Sequence, residues 1–244
     1  MEDVLPLLTE VDLVFTSPPY NLGTTTGGGF PVGHYLPEAR LGQRGGVGKW
    51  SGGALADGYG IHSDAMLHDE YIRWQHRILR LCWQTLTDTG AIYYNQKPRV
   101  LGGEVVTPLV YNPGLPIRQV VIWARAGGIN FSPSFYVPTH EWILILAKPD
   151  FRLKSKGASG IGDVWVIPQE SGTVHPAPFP LALPSRAIET TASRLVLDPF
   201  CGSGTSLVAA KSHGVKAIGI EIEERWCDLA ASRCAQDSLF AELA

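Results

Sequence analysis

The sequence predicts an α/β fold built on a mostly parallel sheet, and three observations carry that prediction. The carboxyl third alternates helical and strand periods: a helix near Leu183 to Thr191, a strand Arg194 to Leu197, a glycine loop, a helix Ser206 to His213, a strand Val215 to Ile220 and a helix Glu223 to Ala235. Such alternation is the signature of βαβ units. Two apolar runs, Val11 to Phe15 and Arg194 to Leu197, each break into a loop of distinctive composition: Thr16-Ser17-Pro18-Pro19-Tyr20-Asn21 and Asp198-Pro199-Phe200-Cys201-Gly202-Ser203-Gly204-Thr205. Open α/β sheets bind ligands at the carboxyl ends of their strands, so both loops are expected at one edge of one sheet.

The remaining elements follow in chain order. Leu22 to Ile61 is rich in glycine and poor in aliphatic residues, which gives it little to bury and marks 22–62 as a mobile insert. Ser63 reads as an N-cap for a helix from Asp64 to Leu86, whose apolar face comprises Leu67, Tyr71, Trp74, Ile78, Leu81 and Leu86, with Gly90 ending the unit. Ala91 to Asn95, Arg118 to Trp123 and Glu141 to Ala147 read as strands, with a loop over Gly127 to Pro138. His140-Glu141 is expected to begin its strand, and Trp74, Trp83, Trp123 and Trp142 to lie in the core. The basic stretch 148–162 has neither period.

Length and composition narrow the class. A chain of 244 residues suits a single domain over 1–244. With 20 Lys+Arg against 23 Asp+Glu the net charge is −3, so any nucleic-acid contact must come from a local cluster and not a global basic surface. Cys82, Cys201, Cys227 and Cys234 form no Cys-x-x-Cys pair, which points to neither a zinc site nor a disulfide framework and fits a reducing, cytoplasmic setting. No basic n-region precedes an apolar run at the amino terminus, and no stretch is long enough to span a bilayer, so a soluble protein without a membrane partner is expected.

In the second loop, glycines at 202 and 204 permit a tight turn and close approach to a ligand, and Glu221 ends the following strand where a ribose would lie. A carboxylate accepts two hydroxyl hydrogen bonds, which suits a ribose of either NAD or S-adenosylmethionine. A pyrophosphate fingerprint calls for a third glycine or alanine, and position 207 is leucine.

The two signatures, with the Ser-Pro-Pro-Tyr loop preceding the Phe-x-Gly-x-Gly loop, resemble the beta class of DNA amino-methyltransferases that use S-adenosylmethionine. The resemblance covers most of the chain. It implies a Rossmann-like methyltransferase fold, a mostly parallel twisted sheet with one antiparallel strand and a permuted motif order. It assigns Ser17, Pro18, Pro19 and Tyr20 to catalysis, and Asp198, Phe200, Gly202, Gly204 and Glu221 to the cofactor. His175-Pro176 and Phe179 resemble the family's His-Pro segment beside the methionine pocket, although Pro178-Phe179 stands where many relatives carry Gln-Lys. The partner implied is double-stranded DNA with a flipped target base.

The chemistry of that reaction suits the loop. An exocyclic amine is a poor nucleophile because its lone pair is delocalised into the ring. Acceptors at the Ser17 side chain and the Pro18 carbonyl would hold the amine hydrogens and turn the lone pair toward the methyl group, with Tyr20 stacking on the extrahelical base. Ser-Pro-Pro-Tyr is commoner among cytosine-N4 enzymes, so N4 of cytosine is the expected target, with N6 of adenine the first alternative and an RNA base a more distant one. A non-catalytic DNA-binding subunit and a nicotinamide-dependent oxidoreductase are the readings from other classes. Lys97 and Arg99, and the cluster Arg152, Lys154 and Lys156, are candidate phosphate contacts, weighed against ordinary surface charge. The segment 148–162 and the insert are candidates for target recognition.

Overall fold

The computed structural model describes residues 1–21, 66–101, 103–125, 127, 133–169 and 179–236. The insert expected over 22–62 therefore lies outside the described residues, as do His175 and Pro176. The chain begins with β1 (Val11–Thr16), α1 (His68–Thr85), β2 (Leu86–Gln96) and a small hairpin of β3 (Arg99–Leu101) and β4 (Glu104–Val106). It continues through β5 (Ile117–Ala124), β6 (His140–Ala147), α2 (Lys156–Ser159), β7 (Val164–Val166) and α3 (Ala182–Thr190). β8 (Leu195–Asp198), α4 (Thr205–Ser212), β9 (Lys216–Gly219) and α5 (Glu224–Ala235) complete it.

Seven strands form one sheet in the order β7-β5-β6-β2-β1-β8-β9. β6 runs antiparallel to both its neighbours, and the other pairings are parallel. The reversal has a local cause: β5 and β6 are consecutive and joined by a loop, which an antiparallel pair permits without a crossover helix. The expected single antiparallel strand is thus present.

Alternation along the inner strands builds a core on each face. Leu13, Phe15, Ala91 and Tyr93 point into a cluster with Leu183, Ala187 and Ile188 of α3 and Ala209 and Ala210 of α4. Val14, Ile92 and Tyr94 point the other way, onto Tyr71, Ile78, Leu79 and Cys82 of α1. Strands buried on both faces read as the continuous apolar runs seen in the sequence. α1 connects β1 to β2 on one side of the sheet, and α4 connects β8 to β9 on the other. The chain therefore leaves the adjacent strands β1 and β8 in opposite directions, which makes their carboxyl ends a topological switch point. Both signature loops emerge there.

Several boundaries differ from expectation for physical reasons. Gly90 lies inside β2, where a Cβ would sit 3.0 Å from the Val11 carbonyl oxygen, so this glycine allows close strand approach at an irregularity in register. β3, β4 and β7 have three residues each and too few alternations to show a period. The stretch 148–162 contains the single turn α2, capped by Ser155, whose side chain accepts from the Ala158 N–H. No helix among the described residues is long and apolar enough to cross a membrane.

Candidate active site

Ser17, Pro18, Pro19 and Tyr20 continue directly from β1 at the switch point. The Tyr71 hydroxyl of α1 donates to the Pro19 carbonyl and accepts from Gln96 Nε2 at 3.1 Å, so a helix side chain and the end of β2 together fix the loop backbone. Burial raises the Tyr71 phenol well above its ordinary range, with the neighbouring Tyr94 and Tyr111 adding to the effect, which keeps it a donor. Asn21 adopts a left-handed conformation, φ 52°. Its side chain pairs twice with the Met66 backbone, Nδ2 to O at 2.9 Å and N to Oδ1 at 2.7 Å, and so joins the loop to the residues just before α1.

The side chains of the loop meet residues that sequence reasoning missed. Ser17 Oγ lies 2.8 Å from Tyr20 Oη, and Tyr20 Oη donates to Glu141 Oε2 at 2.8 Å. Asn95, at the end of β2, places Nδ2 at 2.8 Å from Glu141 Oε2, 3.1 Å from Tyr20 Oη and 3.3 Å from Ser17 Oγ. Arg125 Nη1 sits 3.3 Å from the other carboxylate oxygen of Glu141, with the two side chains 10% and 5% exposed. The expectation that Glu141 merely opens a strand is thereby extended. A carboxylate within an otherwise apolar strand needs buried partners, and that requirement was its legible signal.

The second loop is joined to the first by one buried carboxylate. Asp198 Oδ1 accepts from Thr16 Oγ1 at 2.9 Å and from the Phe200 N–H at 3.1 Å, while Oδ2 accepts from the Ser206 hydroxyl. With no exposed surface, Asp198 stands behind the loop and braces it. Burial pushes its carboxyl up to about 6, against the opposing pull of its three hydrogen bonds.

Glu221 receives the Gly202 N–H at 2.9 Å on one oxygen and the N–H groups of Ile222 and Glu223 at 2.8 and 3.0 Å on the other. It is thus aimed across the mouth of the loop. Arg233 of α5 holds the loop from behind through the Ser203 carbonyl, at 2.7 Å, and the Thr205 hydroxyl, at 3.3 Å. Phe200 packs edge-on against Trp74 with ring centroids 5.4 Å apart, and Phe179 packs edge-on against Phe15 at 5.3 Å. Gly202 and Gly204 both have positive φ, 49° and 81°. A Cβ at Gly204 would lie 2.8 Å from the Cβ of Ala230, so packing of α5 against the loop gives this glycine a structural requirement of its own.

The candidate DNA contacts separate to opposite edges. Lys97 and Arg99 follow β2 at the active-site edge. Arg99 donates to the Asn21 carbonyl at 3.2 Å and the Tyr111 hydroxyl at 3.1 Å, which gives it a structural task in the loop. Burial and the nearby Arg125 lower the pKa of Lys97, with Glu141 opposing. Arg152, Lys154 and Lys156 lie elsewhere: the Lys148 N–H bonds to the Gly90 carbonyl, five residues upstream of Asn95 and so about 16 Å away along the strand. Lys154 N–H bonds to Thr190 at the carboxyl end of α3. These three cations sit at the edge opposite Ser17, where Arg152 and Lys156 line a cavity of about 630 Å³ together with Tyr93, Val121, Phe151 and Trp165.

Comparison with known proteins decides the family. A sequence model described as DNA methylase, covering the N6 and N4 methyltransferases, matches residues 11–232. The chain belongs to the DNA methylase family. Within it, the chain is 25% identical to the Type II methyltransferase M.BglII of Bacillus subtilis over 90% of its own length, and it spans 62% of that protein. It is 38% identical to the Type II methyltransferase M.ScaI of Streptomyces caespitosus over 91% of its length, spanning 74% of that protein. The fold matches the PvuII DNA methyltransferase, described as cytosine-N4-specific, with a TM-score of 0.69 and 16% identity over 99% of this chain and 86% of that one.

Proposed function

We propose that this member of the DNA methylase family transfers a methyl group from S-adenosylmethionine to the exocyclic N4 amine of cytosine in double-stranded DNA, with the target base flipped into the Ser17 loop. The observation that carries this reading is the Thr16–Asp198 hydrogen bond of 2.9 Å, which locks the amine-binding loop and the cofactor loop together at one switch point. The donor set fits the cofactor. Glu221 offers a carboxylate oxygen with lone-pair capacity left for ribose, Phe200 belongs to the same loop as Gly202, which Glu221 accepts from, and Leu207 occupies the position a pyrophosphate site would reserve for a small residue. S-Adenosylmethionine, when bound, supplies an electrophilic methyl group.

The chain's own residues then do the rest. Ser17 and the Pro18 carbonyl accept the amine hydrogens and orient the nitrogen lone pair. Tyr20, whose hydroxyl is fixed by Glu141, presents its ring for stacking on the flipped base. Asp198 keeps both loops at a fixed separation through Thr16 and the Phe200 N–H. Cytosine is favoured over adenine by Ser17 in the first position of the loop, together with the fold shared with a cytosine-N4-specific enzyme.

The test is nucleoside analysis by mass spectrometry of DNA methylated by the purified protein. N4-Methylcytosine is the expected product. N6-Methyladenine would move the target to adenine with the same loop chemistry, whereas 5-methylcytosine would overturn it. Methylation of ring carbon five needs a cysteine nucleophile, and no cysteine here follows a proline.

A further inference from the structure

Resting on that functional reading, we propose that Glu141 is a positioning residue that sets the direction of the Ser17–Tyr20 hydrogen bond and takes up the proton the amine loses. The number of hydrogens available fixes the direction of each bond. Glu141 faces Arg125, so it is a carboxylate and can only accept. Tyr20 has one hydroxyl hydrogen and gives it to Glu141 Oε2, at 2.8 Å. In the 2.8 Å contact between Ser17 and Tyr20, Ser17 must then be the donor. With its hydrogen spent on Tyr20, Ser17 can meet an incoming N–H only as an acceptor. That is the polarity the reaction requires, and Glu141 imposes it from two hydroxyls away.

Asn95 enforces the same direction. Its Nδ2 has two hydrogens: one goes to Glu141 at 2.8 Å and the other faces the Tyr20 and Ser17 oxygens at 3.1 and 3.3 Å, and turning the amide over would set Oδ1 against the carboxylate. Asn95 Oδ1 is itself buried and has no hydrogen-bond partner among the described residues, so the orientation is held by the donor side alone.

The same chain carries the proton away. As the carbon–sulfur bond breaks, its electron pair stays on sulfur, and the amine lone pair forms the new nitrogen–carbon bond, leaving nitrogen positively charged. An N–H proton then passes to Ser17 Oγ as the Ser17 proton moves to Tyr20 Oη and the Tyr20 proton moves to Glu141. Ser17 and Tyr20 finish neutral, the methylated amine is neutral, and Glu141 holds the proton as a carboxylic acid.

Glu141→Gln removes the proton acceptor at the end of the chain and leaves one amide oxygen contested by Tyr20, Asn95 and Arg125, so the Tyr20 hydrogen is no longer held in one direction. The expected result is a fall of about 100-fold in the single-turnover methyl-transfer rate, with cofactor Kd by calorimetry within about twofold of the parent protein. Tyr20→Phe keeps the ring but removes the relay, and it should lose rate to a similar extent even if Glu141→Gln fails to fold. The double variant Ser17→Ala with Glu141→Gln should be no slower in the transfer step than Ser17→Ala alone, since Glu141 reaches the amine proton only through Tyr20 and Ser17.

A binding measurement adds a readout independent of turnover. With S-adenosylhomocysteine present, the parent protein should prefer a target cytosine to a pyrimidinone lacking the amine, and Glu141→Gln should lose that preference. Full transfer rate in both Glu141→Gln and Tyr20→Phe, or additive losses in the double variant, would overturn the relay while leaving the methyltransferase reading intact. Absence of any methylated amine with the parent protein would instead overturn that reading and the relay with it.

Discussion

Asp198 shows how much of this site rests on single buried groups. Its carboxyl is raised from 3.8 to about 6, chiefly by burial, because three donated hydrogen bonds do not replace the water it has lost. The folded state therefore binds this proton more tightly than the unfolded chain. Below about pH 4 both states are protonated and the contribution is fully present; as pH rises toward 6 the unfolded chain ionises first and stability is lost. A displacement of that size corresponds to about 3 kcal/mol. Asp198→Asn cannot ionise, yet it retains an acceptor for Thr16 and Phe200. Denaturant unfolding at about pH 4 and pH 7 should show the variant gaining on the parent protein by a few kcal/mol between them; a constant difference would mean that Asp198 titrates normally. At this scale the sequence was legible for Ser17 through Tyr20, because a short local motif carries them. Glu141 carried a signal, as a carboxylate in an apolar strand, but its partners Asn95 and Arg125 were not legible as site residues, since they arrive from the ends of β2 and β5 and nothing in their local spacing records the meeting.

Among elements, the pairing of α5 with the glycine loop is the most exacting. A side chain at Gly204 would face Ala230 at 2.8 Å and would also have to adopt φ near 81°. Gly204→Val should thus cost stability first, by overpacking of about 1–3 kcal/mol and a left-handed penalty of about 1–2 kcal/mol. Thermal denaturation should show a lowered Tm for Gly204→Ala as well as Gly204→Val. If Gly204→Ala melted like the parent protein but failed to bind S-adenosylmethionine, the glycine would serve the ligand and not the helix. The longer elements were readable because their periods repeat: α1 shows Tyr71, Ile78 and Cys82 buried on one face, and β6 runs apolar from Trp142 to Ala147. The start of β2 at Leu86 was hidden, because the strand follows the helix with no intervening turn residue and Gly90 inside it imitates a terminator.

At the scale of the whole molecule, strand order decides which charges can meet DNA. Sequence distance alone made Arg152, Lys154 and Lys156 as plausible as Lys97, since each follows a strand. Direction separates them: β2 ends at the active-site edge, whereas antiparallel β6 starts there and delivers 148–156 to the opposite edge. Lys97 lies beside Asn95 and Glu141, and Arg99 and Arg125 nearby are already committed to Asn21, Tyr111 and Glu141. A phosphate beside Lys97 would meet an ammonium that burial has partly desolvated and that neighbouring guanidiniums destabilise, so contact with an anion relieves both penalties. Lys97→Ala should therefore weaken DNA binding and reduce the slope of log affinity against log salt by about one. The triple alanine variant at Arg152, Lys154 and Lys156 should leave that slope unchanged. Binding titrations across a salt series distinguish the two edges directly, and a flattened slope in the triple variant alone would place the DNA on the far side of the sheet from Ser17, a position from which no base could reach the loop without a second binding mode.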